Sequence, residues 1–313
     1  MIDMKKGLIY VIILAMIINS VSLPVHAGKY SKYSNKSVAF GLNLRTDHKK
    51  PSCNKPKKVK QISKYDTYYY DIDAYKKKDK VIYLTFDCGY ENGNTKKILD
   101  TLKKYDIKAI FFVTERYVKK NPKLVKRMKK EGHLVGNHTC NHLRMPDLSV
   151  KKMKKEVTQC AKTMKKKTGY DMDPYFRPPE GVYSVRMMKV MQDLGYYTML
   201  WSLALYDYEE NDQPGADYVV KKFKKHYFCG MMPLLHVISS SDRKALPRVI
   251  KTMKKKGYRF GSVDEFASHE EEKEDKGKTK EDKSKKNKNV KDKNDKDNKD
   301  LNSKGAGNQN RKD

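Results

Sequence analysis

The chain has 313 residues, of which 69 are Lys or Arg and 38 are Asp or Glu, so its formal net charge is +31. Hydrophobic residues make up 38% of the chain and concentrate in its middle, where they suffice for one core of roughly 200 residues, a normal single-domain size. This composition excludes two or more large domains, a polytopic membrane protein, a coiled coil and a disulfide-dense miniprotein.

The first 27 residues have the pattern of a targeting segment. Two lysines precede an apolar run from Leu8 to Ile18, and Pro24 follows shortly before a small-x-small sequence that ends at Ala27. Because eleven apolar residues are few for a bilayer span, residues 1–27 are predicted to be a secretory signal peptide cleaved after Ala27. The alternative is an uncleaved N-terminal anchor associated with the membrane. Both interpretations place the working part of the chain outside the cytoplasm.

The last segment, residues 268–313, is a low-complexity mixture of Lys, Glu, Asp and Asn. Such a composition buries too little apolar surface to fold, so we expect a disordered charged tail. The positive excess of the remaining chain would complement a polyanionic cell envelope. Charge alone would also suit a nucleic acid, but the predicted export signal and the lack of an aromatic-interleaved basic motif argue against that partner.

Between residues 81 and 261, short β-prone apolar runs alternate with segments of helical periodicity, in about seven units. The predicted strands are 81–86, 109–113, 134–136, 175–176, 196–201, 231–235 and 258–261, and the predicted helices are 94–104, 121–132, 149–167, 184–194, 217–225 and 242–255. This order predicts an α/β fold with parallel strands. A doubly wound sheet and a (β/α) barrel both fit it. No glycine-rich dinucleotide loop follows the first strand, which disfavours the doubly wound sheet.

Reactive side chains follow five of the predicted strands. They are Asp87 with Cys88, His138 with His142, Arg177, Asp207, and His236. The carboxyl ends of barrel strands meet on one face, so these side chains are expected around one site. Two histidines and a further ligand would hold a divalent metal with a water, while Asp87 would accept a proton and His236 would donate one. The pattern predicts metal-assisted hydrolysis of an amide or ester, with Arg177 and Asp207 orienting the base and the acid.

Five segments resemble the motifs of the polysaccharide deacetylases, also called the NodB homology domain. They are Thr85–Gly89, His138–His142, Arg177–Gly181, Asp207-Tyr208 and Leu234–His236. The resemblance extends over the predicted domain, residues 81–267. It implies an α/β fold that is a distorted (β/α)7 barrel in a single domain, and hydrolysis of N-acetyl groups on an aminosugar polymer.

The resemblance also implies a role for each site residue. Asp87 would be the general base paired with Arg177, and His236 the general acid tuned by Asp207. The backbone N–H of Glu180 would help to hold the oxyanion of the tetrahedral intermediate. The residues predicted on the substrate side are Glu180, Tyr90, Glu91 and Trp201.

A divalent metal, Zn²⁺ or similar, is implied at His138 and His142. Most of the family has an Asp ligand where this chain has Cys88, and a thiolate beside two imidazoles is a reasonable set for Zn²⁺. Cys88 is therefore predicted as the third ligand. The alternative is that Cys88 only fills a small space, in which case it would be close enough to Cys140 for an oxidised pair. A second departure is Tyr208, where the family usually has Trp.

A narrower resemblance concerns the muramic acid deacetylases that form the delta-lactam of spore cortex. It rests on the segment Asp87–Thr95, which includes Tyr90-Glu91, and upstream on Phe40-Gly41 and Lys64–Tyr69. It implies that residues 28–80 pack on the barrel, and that the substrate is peptidoglycan muramic acid without its stem peptide, because lactam closure needs a free lactyl carboxyl. The alternatives are a deacetylase of N-acetylglucosamine in peptidoglycan or another polysaccharide, and a wall-binding pseudoenzyme.

Overall fold

A computed structural model describes residues 28–54 and 60–266 of the chain. The predicted signal peptide and the predicted charged tail lie outside these described residues. In chain order the elements are β1 (Val38–Ala39), β2 (Leu42–Asn43), β3 (Ser52–Cys53), α1 (Lys60–Ser63), β4 (Thr67–Tyr68), α2 (Ile72–Lys77), β5 (Val81–Ile82), β6 (Thr85–Cys88), α3 (Asn94–Lys104), β7 (Ile110–Val113), α4 (Glu115–Lys120), α5 (Pro122–Lys130), β8 (Leu134–Asn137), α6 (Val150–Thr168), β9 (Tyr175–Phe176), β10 (Val182–Tyr183), α7 (Val185–Asp193), β11 (Tyr197–Met199), β12 (Leu203–Ala204), α8 (Ala216–His226), β13 (Pro233–His236), α9 (Ser240–Lys255) and β14 (Arg259–Phe260).

Eight of these strands form one parallel sheet in the order β12-β13-β6-β7-β8-β9-β11-β4. The sheet curls into a half-barrel, and β5 and β14 form a separate parallel pair. The predicted parallel α/β architecture is therefore confirmed, and the barrel alternative is the correct one. The predicted strand 81–86 is in fact two strands, β5 and β6, with Tyr83 and Leu84 between them.

The strands of the sheet do not alternate polar and apolar residues, because both faces of the sheet are covered. All four residues of β6 and all four of β7 are buried, as expected for parallel strands that are covered on both sides. Successive side chains point to opposite faces, so Phe86 and Phe111 pack in the larger core cluster with the helices. Ile110 and Phe112 pack in a second cluster. Asp87 also alternates with Phe86, which directs it away from the helix-facing core.

The helix α6 shows how a local pattern determines one element. Ser149 caps its first turn by accepting a hydrogen bond from the N–H of Lys152, and Gly169 ends it in a left-handed conformation with φ of 81°. Four residues at steps of three or four lie on its buried face, as predicted; these are Met153, Val157, Cys160 and Met164.

The short helix α4 was not predicted from the sequence. It directly follows β7 because Thr114 serves as its N-cap and accepts a hydrogen bond from the N–H of Tyr117. The Asn121-Pro122 pair is a stronger start signal, and it marks the following helix, α5. The six residues of α4 carry part of the site wall described below.

The segment 28–54 lies against the barrel through backbone and aromatic contacts. Its strand β1 pairs antiparallel with β10, with Val38 opposite Tyr183. The ring of Phe40 lies 5.5 Å from that of Trp201 and 5.6 Å from that of Tyr69, measured between centroids. Within residues 28–54 and 60–266, no helix combines the length and the apolar character needed to cross a membrane.

Replacing Phe40 by Ala is expected to destabilise the whole domain, because this ring is only 8% exposed and packs between two aromatic neighbours. A buried Phe→Ala change typically lowers the free energy of unfolding by about 3–5 kcal/mol. Urea unfolding followed by circular dichroism measures it. The matched control is Leu143→Ala, since Leu143 is 44% exposed and should change stability by less than ~0.5 kcal/mol. Equal effects of the two substitutions would contradict the packing described here.

Candidate active site

One cavity of about 430 Å³ opens at the carboxyl ends of the sheet strands. Its position agrees with the general rule that barrel enzymes place their chemistry at this end. Its wall comes from β6, from α4 and from the loops that follow β8, β12 and β13. The lining residues are Asp87, Gly89, Tyr90, Thr114, Arg116, His138, Cys140, Asn141, His142, Tyr208, His236 and Ile238.

The carboxylate of Asp87 is held by the buried guanidinium of Arg177. The Nη1 of Arg177 donates to Oδ1 of Asp87 at 2.8 Å, and its Nη2 donates to the hydroxyl of Thr85 at 2.9 Å. Its Nε donates to the backbone carbonyl of Met199 and its Nη2 also to that of Leu200, at 3.1 Å each. The side chain of Arg177 has no exposed surface, so all of these hydrogen bonds are shielded from solvent. The guanidinium therefore has one orientation, and it fixes that of Asp87.

Arg177 also keeps Asp87 ionised. Burial alone would raise the pKa of Asp87, but the charge of Arg177, with smaller effects of His138 and His236, outweighs burial and holds that pKa below its ordinary value. Asp87 is consequently a carboxylate at neutral pH and can accept a proton.

His138 presents one ring nitrogen towards Asp87. Its Nδ1 lies 2.9 Å from the carbonyl oxygen of Arg177 and donates to it, while its Nε2 lies 3.4 Å from Oδ2 of Asp87. Burial lowers the pKa of His138 to about 4, so the ring is neutral at pH 7. The ring of His142 meets that of His138 edge-on, with 4.8 Å between centroids. The backbone N–H of His142 donates a hydrogen bond to the hydroxyl of Thr139 at 3.0 Å.

At His236 the charges are reversed: a buried carboxylate, Asp207, holds an imidazole that can be cationic. Its Nδ1 lies 2.9 Å from Oδ1 of the fully buried Asp207, and its backbone N–H donates to Oδ2 of the same carboxylate at 2.9 Å. Burial alone would lower the pKa of His236, but the charge of Asp207 outweighs it and raises that pKa above its ordinary value. His236 can therefore carry a proton near neutral pH.

Asp242 is a contributor to this site that the sequence analysis missed. Its Oδ2 lies 3.4 Å from the N–H of His236, and burial together with the charge of Asp207 raises the pKa of Asp242 well above its ordinary value. Burial and the charge of Asp207 thus both oppose the ionisation of Asp242. The available signal was its place in the first turn of α9, where its N–H donates to the N-cap hydroxyl of Ser239. That pattern indicates a helix start and does not indicate a site.

The prediction that Cys88 is the third metal ligand is contradicted by its position. Cys88 is the neighbour of Asp87 on β6, so its side chain points to the other face and lies fully buried in the core cluster that contains Phe86. Burial raises the pKa of its thiol well above the ordinary value, which disfavours the thiolate that a metal requires. Cys88 and Cys140 are both free thiols, so the alternative of an oxidised pair is not present either.

Two of the four residues predicted on the substrate side do not line this cavity. The carboxylate of Glu91 is engaged in its own loop, where it accepts hydrogen bonds from the N–H of Gly93 and from the hydroxyls of Thr95 and Tyr117. Trp201 packs against Phe40 and does not line the cavity. Both support the loops of the site, and their predicted role towards the substrate stays a prediction.

Of the other two predicted residues, Tyr90 lines the cavity and Glu180 does not. Tyr90 lines the cavity with 59% of its surface exposed. Glu180 has a left-handed backbone with φ of 57°, and its carboxylate lies 3.9 Å from Arg144. The next residue, Gly181, must be glycine because a Cβ there would lie 2.4 Å from the ring of Trp201. The role of the Glu180 N–H towards an oxyanion stays a prediction.

A model of the polysaccharide deacetylase family matches residues 74–199. The peptidoglycan-N-acetylmuramic acid deacetylase PdaA of Bacillus subtilis strain 168 is 38% identical over 255 residues, which are 80% of this chain and 94% of that protein. The chain therefore belongs to the polysaccharide deacetylase family, as the sequence motifs predicted.

Solved structures support the same assignment. The structure of Bacillus subtilis PdaA, a family 4 carbohydrate esterase, has a TM-score of 0.70 and 36% identity, covering 76% of this chain and 99% of that one. A peptidoglycan-N-acetylglucosamine deacetylase of Bacillus cereus is 36% identical over 60% of this chain and 88% of that protein. A CE4 family pseudoenzyme from Bacillus anthracis has a TM-score of 0.58 and 26% identity, covering 64% and 68%. The distorted (β/α)7 barrel is thereby confirmed.

This family generally uses a divalent metal, and the site offers part of a ligand set for one. His138 and His142 are neighbouring imidazoles on the cavity, and the Nδ1–H bond of His138 leaves its Nε2 as a free donor of electrons. Among residues 28–54 and 60–266, no three His, Cys, Asp or Glu side chains are grouped so as to hold a metal ion. The residues present thus fit a metal held by two imidazoles and do not fit the predicted set with Cys88.

The substitution Cys88→Ser is expected to leave the metal content of the protein unchanged, because the thiol lies in the core and not at the cavity. It should lower the free energy of unfolding by about 1–3 kcal/mol, since it places a hydroxyl among apolar side chains. Elemental analysis after equilibration with Zn²⁺ under reducing conditions, together with urea unfolding, measures both effects. His142→Ala is the comparison variant and should lower the metal content. Loss of metal from Cys88→Ser to the same extent would restore Cys88 as a ligand.

Proposed function

We propose that the chain is a peptidoglycan deacetylase that removes the N-acetyl group from muramic acid in glycan strands lacking their stem peptides. The observation that carries the proposal is a base and an acid on one cavity, each paired with a buried partner of opposite charge: Asp87 with Arg177, and His236 with Asp207. Such paired sites match the needs of amide hydrolysis, in which one group removes a proton and another supplies one.

In the proposed reaction Asp87 accepts a proton from water as the water oxygen attacks the acetyl carbonyl. The resulting tetrahedral intermediate collapses when the C–N bond breaks, and His236 donates its proton to the departing nitrogen. The products are acetate and a free amine. The bond between Nδ1 of His236 and Asp207 leaves Nε2 of His236 to donate that proton. Arg177 contributes by fixing the orientation and the charge of Asp87.

We also propose His138 and His142 as the residues that hold a divalent ion, with Zn²⁺ favoured by their nitrogen donors. A bound ion of this kind supplies Lewis-acid polarisation of the amide carbonyl. The two proton transfers described above are carried out by Asp87 and His236.

The choice of muramic acid is supported by the similarity to Bacillus subtilis PdaA along nearly the whole length of that protein. A free amine beside an unsubstituted lactyl carboxyl can close to the muramic delta-lactam, which links the proposal to spore cortex. The N-terminal sequence pattern supports action outside the cytoplasm, at the cell wall. The second candidate is a deacetylase of N-acetylglucosamine, which the 36% identity to the Bacillus cereus protein favours.

The enzyme is expected to release acetate from glycan strands whose stem peptides an amidase has removed, and much less from intact peptidoglycan or from chitin oligomers. Purified strands of each kind are compared by acetate assay, and mass spectrometry identifies the deacetylated sugar. Asp87→Asn is the inactive reference and should reduce turnover by about 10²–10⁴-fold. Equal or faster acetate release from chitin oligomers would favour the N-acetylglucosamine alternative. No release from any substrate would favour a wall-binding pseudoenzyme.

Asp207→Asn is expected to move the alkaline limb of the pH profile of kcat/KM to lower pH. Asp207 raises the pKa of His236, so the protonated acid persists above the ordinary histidine range, and its removal lets that pKa fall. The acidic limb, which reports Asp87, should move less. Asp212→Asn, at an exposed position that accepts a hydrogen bond from Tyr206, is the control. An unchanged alkaline limb in Asp207→Asn would remove His236 from the role of general acid.

A further inference from the structure

Arg116 lies on the wall of the active-site cavity but has no role in the two proposed proton transfers. It is the second residue of α4, which follows β7, the neighbour of the strand that carries Asp87. The Arg116 side chain is exposed and lines the same cavity as Asp87 and His236. A cation at this place adds positive charge beside the substrate without taking part in either proton transfer.

The guanidinium of Arg116 is held on an aromatic ring and not by a carboxylate. Its Cζ lies 4.6 Å from the ring centroid of Tyr90, and its Nη1 donates to the hydroxyl of Tyr90 at 3.3 Å. On the same helix Lys119 pairs with Glu115 at 2.9 Å, whereas no Asp or Glu of residues 28–54 and 60–266 forms an ion pair with Arg116. Its positive charge is thus oriented by Tyr90 and available to an anion.

A second, smaller cavity of about 130 Å³ adjoins this pair. Tyr90 and Arg116 line both cavities, and Lys120, one helical turn after Arg116, lines the smaller one. The one carboxylate on its wall is that of Glu91, which the N–H of Gly93 and two hydroxyls already engage. The region next to the reacting cavity is therefore cationic and has room for a small anionic substituent.

We propose that Arg116, oriented by Tyr90, binds the lactyl carboxylate of the muramic acid unit and so determines the preference for muramic acid without a stem peptide. The inference rests on the proposed deacetylase function. N-acetylglucosamine has a hydroxyl at the position of the lactyl ether, and a stem peptide converts the lactyl carboxylate into a neutral amide. Only the peptide-free muramic unit offers a planar anion, which a guanidinium binds with two parallel hydrogen bonds.

This role differs from a merely structural one in its dependence on the substrate. An Arg116 that only shaped the loop of Tyr90 would affect every substrate alike. An Arg116 that binds the lactyl carboxylate affects substrates with the anion and leaves neutral ones unchanged. Because the contact is remote from the amide, it is made equally in the ground state and the transition state, and its loss should raise KM with little change in kcat.

The test uses the full chain and two preparations of amidase-treated glycan strands, one with free lactyl carboxylates and one with these converted chemically to methyl amides. For Arg116→Gln we expect kcat/KM on the free carboxylate strands to fall about tenfold to a hundredfold, the usual worth of a charged hydrogen bond. Its kcat/KM on the amidated strands should equal that of the wild type. Tyr90→Phe, which keeps the ring under the guanidinium, should show a smaller loss of the same kind.

Lys123→Gln is the control variant, because it removes one exposed positive charge from α5, outside both cavities. It should behave as the wild type on both preparations. Equal losses of Arg116→Gln on the two preparations, or no loss on either, would overturn the role of Arg116 while leaving the deacetylase function intact. A wild-type enzyme that releases no acetate from either preparation would instead remove the proposed function, and this inference with it.

Discussion

The buried guanidinium of Arg177 is the interaction on which the rest of the site depends. Its side chain reaches Asp87 and Thr85 on β6 and two backbone carbonyls at the end of β11. Its own backbone carbonyl accepts the Nδ1–H of His138. One residue therefore sets the orientation of the base and of an adjacent imidazole. Without Arg177 the carboxylate of Asp87 would remain buried and uncompensated, a situation that typically costs about 3–5 kcal/mol. The same contact thus serves both stability and chemistry.

The two charge pairs at the cavity act in opposite directions on their partners. Arg177 lowers the pKa of Asp87, and Asp207 raises that of His236, which extends at both ends the pH range in which the deprotonated base and the protonated acid coexist. Two groups of ordinary pKa would coexist in these forms over a narrower range. Asp242 extends the second pair, because it lies beside Asp207, whose charge together with burial opposes the ionisation of Asp242.

The sequence was sufficient for the features that depend on local periodicity and strand order. The buried face of α6 follows from the spacing of Met153 and Val157, and the meeting of Asp87, Arg177 and His236 follows from parallel strands whose ends share one face. The features that depend on long-range packing were missed. Strand β1 has two residues, and its pairing with β10 has no local signal.

For Cys88 the sequence motif and the alternation of side chains along β6 predict different positions. The motif assigned a ligand to the position, whereas the two-residue repeat of β6 directs Cys88 away from Asp87 and into the core. Strand alternation would have predicted this, provided that the strand was known to continue through Cys88. Glu91 illustrates a related difficulty, because its engagement by Gly93, Thr95 and Tyr117 arises from a loop conformation that no short pattern encodes.

The five cysteines, all of which lie in the described part of the chain, are free thiols. Burial raises the pKa of Cys88 and Cys160 well above the ordinary value, and it raises that of Cys140 to about 12. Disulfide exchange proceeds through the thiolate, so these three thiols are poor nucleophiles at neutral pH. The fold of residues 28–54 and 60–266 is thus held by packing, hydrogen bonds and ion pairs, with no disulfide among its five cysteines.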